Sequence, residues 1–150
     1  RKFTKENFFL YHKGGNLGSS LRLAKDIMVT GEKMPVVDYK KNFTQALKVM
    51  NKKKLGIVVI TKNRFIKGLI TDGDIRRVLN NTKGEKKIDK ITRNYPLVIN
   101  ENMPASKALG FMSEKKITSL LVVSDKDKDK KNKILRGIIH IHFLLKDGIK

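Results

Sequence analysis

The chain has 150 residues, 39% of them hydrophobic, a formal net charge of +20 and no cysteine. That apolar content suffices for one core or two small cores packed together, and the absence of cysteine excludes disulfides, thiolate nucleophiles and cysteine-based zinc sites, in keeping with a reducing cytoplasm. Only seven of the 34 basic residues are arginine, and dispersed lysine without an arginine-rich, aromatic-interleaved stripe argues against nucleic acid as the partner, while still drawing phosphorylated metabolites to any cleft.

The opening Arg1-Lys2-Phe3-Thr4-Lys5-Glu6 is not methionine-led and lacks the apolar run of a signal peptide, so a piece of a longer protein is expected. No stretch approaches a membrane span. Residues 1–23 predict a helical stub, Glu6 to His12, and a glycine-rich turn from Lys13 to Gly18. A short helix from Ala24 to Met28 follows, then a strand Met34-Pro35-Val36-Val37 whose proline suits a strand start or edge. Phe43, Ala46, Leu47 and Met50 recur at helical spacing, with lysines from Lys48 to Lys54 on the outer face, and predict an amphipathic helix ending near Gly56. Ile57–Ile60 and Phe65–Ile70 flank the turn Thr61-Lys62-Asn63-Arg64 and predict a hairpin of buried strands. After Asp72-Gly73 a helix runs through Ile75, Val78 and Leu79 to Asn80-Asn81.

The same order then recurs. An offset of about 62 lays Ala46, Leu47, Met50 and Leu55 over Ala108, Leu109, Met112 and Ile117, and one of about 69 lays Gly68-Leu69-Ile70 over Gly137-Ile138-Ile139. The growth is an extra polar run, Lys126 to Asn132, which belongs in a surface loop. Lys83 to Lys87 joins the copies, and the second predicts a strand Leu97–Ile99, a helix Pro104–Lys115, strands Ser119–Val123 and Ile134–Ile139, and a last helix Ile141–Lys146. The fold class is α/β of the α+β type, two β-α-β-β-α repeats. Neither buries its surface alone, so they are expected to pack face to face as a pseudo-twofold pair, with function at the junction.

Thr71-Asp72-Gly73-Asp74 is the first candidate site. A strand end feeding a helix N-terminus offers free amides to a phosphate, the Thr71 hydroxyl adds a donor, and the Asp74 carboxylate suits a ribose diol. The same spacing also describes a helix cap and a common turn. In the second copy His140 falls over Thr71 and Phe143 over Asp74, so a second pocket would lack the carboxylate and hold imidazoles and a ring able to stack on a base or fill the hole. On a strand, His140 and His142 would share a face as metal ligands can, but no third ligand is evident, and no metal site is predicted. Asp125-Lys126-Asp127-Lys128-Asp129 fails as a calcium loop, because Lys130 stands where glycine belongs and Arg136 where the bidentate glutamate belongs. The chain contains no catalytic constellation of its own.

The repeat plan with Gly68, Thr71 and Asp74 before its last helix resembles the cystathionine-β-synthase (CBS) domain pair, over residues 24–150. Further motifs are Phe8 and His12-Lys13-Gly14-Gly15-Asn16-Leu17-Gly18, Ala24-Lys25-Asp26-Ile27-Met28, Leu55-Gly56, Thr71 to Arg77, Ile117-Thr118-Ser119 and His140-Ile141-His142. Together they resemble the C-terminal part of the D-arabinose 5-phosphate isomerase family of the Kdo (3-deoxy-D-manno-octulosonate) pathway. The resemblance implies a preceding sugar-isomerase (SIS) domain whose tail is 1–23, a first CBS domain at 24–82 and a second at 83–150. It implies an active-site role for His12, with Lys13 in place of the family's proline, and ligand binding by Thr71, Asp72, Asp74 and Arg76 in the first repeat and by His140 and His142 in the second. Phe143 replaces an aspartate the family commonly carries. No cofactor is required. The implied regulatory ligand is an adenine nucleotide or CMP-Kdo, and the implied assembly is a homo-oligomer, a dimer of CBS pairs within a tetrameric parent. With the other catalytic residues upstream, these residues alone are expected to show no isomerase turnover. A structural dimerisation module with degenerate pockets and a basic nucleic-acid-binding protein are the alternatives.

Overall fold

The computed structural model describes residues 21–80, 88–94, 96–127 and 129–150. The chain enters through α1 (Ala24–Ile27) and a 3-10 turn (Gly31–Lys33) to β1 (Val36–Asp38). Asn42 then starts α2 (Phe43–Lys53) by a reciprocal cap: the Gln45 amide donates to Asn42 Oδ1 at 2.9 Å and the Asn42 amide to Gln45 Oε1 at 3.0 Å. The helix stops ahead of Gly56, where Lys54 adopts a left-handed φ of 60°. β2 (Ile57–Lys62) and β3 (Phe65–Thr71) form the expected hairpin, with a tighter turn than predicted: Asn63 and Arg64 alone connect them, at φ 52° and 72°. α3 (Asp72–Asn80) follows β3 directly.

Next come two elements that periodicity did not reveal, α4 (Ile88–Ile91) and β4 (Arg93–Asn94). Four and two residues are too few to display a helical or alternating period. The second repeat comprises β5 (Val98–Asn100), α5 (Ala105–Lys115), β6 (Ser119–Val123), β7 (Leu135–His140) and α6 (Ile141–Lys146). The extra polar run forms a 3-10 turn (Asp125–Asp127) and loop between β6 and β7, as expected. Its far end is tied to the first repeat, where the Ile66 amide donates to the Lys133 carbonyl at 2.8 Å.

One sheet has the order β1-β2-β3-β4 and the other β5-β6-β7; in each, the first strand runs parallel to the second and the hairpin is antiparallel. Side-chain alternation sorts the apolar runs onto two faces. Val58, Ile60 and Ile70 point to a core with Phe43, Ala46 and Met50 of α2 and Ile75 of α3. Leu120, Val122 and Ile139 point to its counterpart with Ala108 and Met112 of α5 and Leu144 of α6. The opposite faces meet, as Ile57 and Val59 pack with Leu121 and Ile138 in a third cluster at the seam. Strands buried on both sides explain why Ile57–Ile60 and Leu120–Val123 are unbroken apolar runs. The repeats thus pack face to face as a pseudo-twofold pair. No helix among the described residues is long and apolar enough to cross a membrane.

The short helices are exchanged. Ala24 and Ile27 of α1 belong to the core of the second repeat, and the Ala24 and Lys25 amides donate to the Met103 and Glu101 carbonyls at 2.8 and 2.9 Å. Ile88 and Ile91 of α4 lie against the core of the first. Leaving α1, Val29 bridges Ile138; leaving α4, Arg93 pairs with Leu69. Each crossing passes over a glycine: a Cβ on Gly68 would overlap the Arg93 carbonyl oxygen and lie 2.5 Å from Thr92 Cγ2, and one on Gly137 would overlap Met28 Sδ. Next to each glycine is a β-bulge. Register passes from Ile60↔Gly68 to Thr61↔Ile66 and from Val122↔Gly137 to Val123↔Leu135, leaving Lys67 and Arg136 as the extra residues.

Candidate ligand site between the repeats

Where β3 meets α3, Thr71 and Asp74 close on each other. The Thr71 amide donates to Asp74 Oδ2 at 2.9 Å and the Asp74 amide to Thr71 Oγ1 at 3.1 Å, so the helix-cap reading of this spacing is realised. The carboxylate has further partners that the sequence did not announce. Arg93 Nε donates to both its oxygens at 3.0 Å, Arg93 Nη2 lies 2.9 Å from Oδ1, and Arg77 Nη2 donates to Oδ1 as well. The Asp74 side chain is only 7% exposed. Burial pushes its carboxyl up, but the Arg93 hydrogen bond, the Thr71 amide and hydroxyl and the guanidinium charge outweigh burial and hold it below the usual aspartate value.

A depressed folded pKa adds stability above the unfolded value, about 3.9, and that stability is lost as pH falls through the lower folded value. Asp74→Asn is therefore expected to cost about 1–2 kcal/mol at pH 7. Below about pH 4 the gap from wild type should narrow. Urea denaturation across this range measures it; a gap constant with pH would show that the ionised carboxylate contributes nothing.

Beside this cap, at the seam, lies a cleft of about 450 Å³. Ile57, Leu69, Leu121, Pro96 and Leu97 supply apolar walls. Thr71, Thr118 and Ser119 supply hydroxyls, Arg93 and Lys116 supply cations, and no carboxylate lines it among the described residues. An apolar slot with cations and hydroxyls at hand fits a base joined to a phosphate, and the volume is that of a small-molecule site.

Of the residues singled out from sequence, Thr71 lines this cleft. Asp74 sits behind it, holding Arg93. Asp72 and Arg76, both largely exposed, pair with each other at 4.0 Å outside the lining. His12 lies outside the described residues. His140 ends β7 while His142 lies on α6, so they do not share a strand face. Instead His140 Nδ1 accepts the His142 amide at 3.1 Å as the cap of α6, and the rings stack at 4.7 Å. Burial, and then the nearby His142 charge, lower the pKa of His140, which suits an accepting nitrogen. No cluster able to hold a metal occurs among the described residues. A second cleft, also about 450 Å³, is lined by Val29, Leu55 and Phe143, with Glu32, Lys33, Lys52 and Lys53. Here Phe143 stands where the first repeat has Asp74, and Val29 where it has Arg93.

Arg93 and Lys116 are site residues that sequence reasoning missed, and Arg93 is the one that the Asp74 cap holds. A signal was present: Ile88-x-x-Ile91-Thr92-Arg93 overlays Ala24-x-x-Ile27-Met28-Val29 at an offset of 64, marking a second copy of the exchanged segment.

The CBS domain family model matches residues 24–81 and 88–142. Among curated proteins, the chain is 39% identical over 132 residues to a probable arabinose 5-phosphate isomerase of Haemophilus influenzae, covering 85% of this chain and 38% of that protein. It is 38% identical over 154 residues to arabinose 5-phosphate isomerase KdsD of Yersinia pestis, covering 99% of this chain and 44% of that protein. The chain thus spans less than half the length of these relatives. Among solved structures, the CBS domain pair of protein MJ0100, in complex with 5'-methylthioadenosine and S-adenosyl-L-methionine, aligns with a TM-score of 0.71 at 22% identity, over 84% of this chain and 94% of that one. Arabidopsis thaliana CBSX2 in complex with AMP aligns at 0.68 and 19% identity, over 84% and 95%. With the family model covering both repeats and these structures sharing their arrangement, the chain belongs to the CBS domain family.

Proposed function

We propose that this chain is the regulatory CBS pair of a cytoplasmic D-arabinose 5-phosphate isomerase, which interconverts D-ribulose 5-phosphate and D-arabinose 5-phosphate for Kdo and lipopolysaccharide synthesis, and that it binds a nucleotide or nucleotide-sugar between its repeats. The observation that carries the ligand reading is the seam cleft, with an apolar slot beside Thr71, Arg93 and Lys116 and no carboxylate among the described residues of its lining. Relatives named arabinose 5-phosphate isomerase, at 36–39% identity over most of the chain, support the parent activity. In this reading the base lies between Ile57, Leu69 and Leu121, the phosphate meets Arg93 and Lys116, and a ribose diol reaches Asp74 by displacing an arginine. Adenine nucleotides and CMP-Kdo are the ligands proposed. The parent's SIS domain, with His12 at its end, carries catalysis, and this chain alone turns over no sugar phosphate. Regulation requires the ligand to bind two states of the parent homo-oligomer with different affinity.

A thermal-shift panel of AMP, ATP, CMP-Kdo and D-arabinose 5-phosphate tests the reading. A ligand at a hundredfold excess over its Kd is expected to raise Tm by about 5–10 °C. A panel in which nothing shifts Tm favours instead a structural dimerisation module, the role that the Phe143 and Val29 substitutions in the second cleft already support for that half.

A further inference from the structure

The seam cleft does not end at Pro96. Beyond that residue a second hollow of about 380 Å³ opens, with Lys67, Lys131, Asn132 and Lys133 as its polar lining, and Pro96 borders both. Sharing Pro96, the two hollows are neighbours. The first borders β3 at Leu69 and Thr71 and the second at Ile66 and Lys67, while the approach to β5, from Pro96 to Val98, runs alongside both.

Among the described residues no carboxylate answers the positive charge of this stretch, and for Lys67 the internal symmetry shows why. Lys67 and Arg136 are equivalent bulge residues, and the 62-residue offset sets Tyr39 against Glu101. In the second repeat Arg136 Nε lies 3.6 Å from Glu101 Oε2. In the first, the acid is replaced by an aromatic ring, and Lys67 Nζ stands 4.9 Å from the Tyr39 centroid, with Lys62 at 5.1 Å and Lys40 at 5.9 Å. A ring face orients these ammonium groups without cancelling their charge. No carboxylate pairs with Lys67, Lys131 or Lys133 among the described residues. Lys131 and Asn132 come from the polar run that the first repeat lacks, and the Ile66–Lys133 backbone bond fixes that run against β3.

We infer that the ligand is a nucleotide bearing a second anionic group, which passes over Pro96 and sits against Lys67, Lys131 and Lys133. This rests on the nucleotide reading above and narrows it to a nucleoside polyphosphate or a nucleotide-linked sugar acid. Its base and first phosphate stay at Thr71, Arg93 and Lys116. Two separated cationic stations in neighbouring hollows match two separated anions on one ligand, and a monophosphate engages only the first.

Titration calorimetry on the full chain compares AMP with ATP and CMP with CMP-Kdo, in wild type and in Lys67→Ala/Lys131→Ala/Lys133→Ala. The triple variant is expected to bind the extended ligand about tenfold more weakly while its affinity for the matching monophosphate changes less than about twofold. In wild type the extended ligand should also lose affinity faster with added salt than the monophosphate does. Equal losses for both classes, or no preference of wild type for either extended ligand, overturns the inference and leaves the nucleotide reading standing. Wild type that binds none of the four overturns both. Whether ATP or CMP-Kdo shows the lysine dependence decides between the two ligand sources.

Discussion

Replacing Gly68 with alanine is expected to lower the unfolding free energy by about 3 kcal/mol, at the top of the range for overpacking. The new methyl group would overlap the Arg93 carbonyl oxygen, and a carbonyl held in the β3–β4 pairing cannot rotate away as a side chain can. The strand must shift, and Arg93 shifts with it, away from Asp74. Gly137→Ala is the internal control. Its methyl group meets Met28, an unbranched side chain whose Sδ and Cγ can swing aside although its Cβ, at 2.9 Å, is harder to move. A cost of about 1–2 kcal/mol is expected there, with part of it recovered in Gly137→Ala/Met28→Ala. Urea denaturation of the four proteins provides the comparison. Equal costs at the two glycines would show that the backbone crossing is not what limits Gly68.

Leu121→Asp should be costlier still, about 4 kcal/mol or more, because it sets a carboxylate against the apolar side chains of the seam. Leu121 is 1% exposed and packs with Leu55, Ile57 and Val59 of the other repeat. The form of the transition is the sharper readout. Were each repeat an independent half, losing the seam would split unfolding into two steps. The exchanged helices forbid this: the second core needs Ala24 and Ile27, the first needs Ile88, and a half of this size buries too little surface by itself. One cooperative transition at a much lower urea midpoint, with an unchanged slope, is the expected result. Two resolved transitions would contradict the exchange.

Much of this architecture can be read from residue patterns. Ile57–Ile60 and Leu120–Val123 are β-branched or apolar throughout because both faces of the strand are covered, and that signature is local. α2, α5 and α6 declare themselves through apolar spacing and end close to where it lapses. The position of the extra polar run between β6 and β7 follows from internal alignment alone, as does the equivalence of Gly68 with Gly137. Thr71-x-x-Asp74 was open to two readings, and the structure shows the reciprocal cap beside the cleft without excluding a ligand.

The sequence by itself determined two copies of one β-α-β-β-α unit, their strands and principal helices, and the polar turn at which the first copy's site begins, because each of these depends on neighbours within a few residues along the chain. Tertiary structure alone decided that α1 and α4 change places, that Arg93 takes hold of Asp74 nineteen residues away, and that Lys67 faces a lysine-bearing loop of the other repeat. Those outcomes turn on which surfaces must be buried together. Burial is non-directional and leaves no period for a short segment to display.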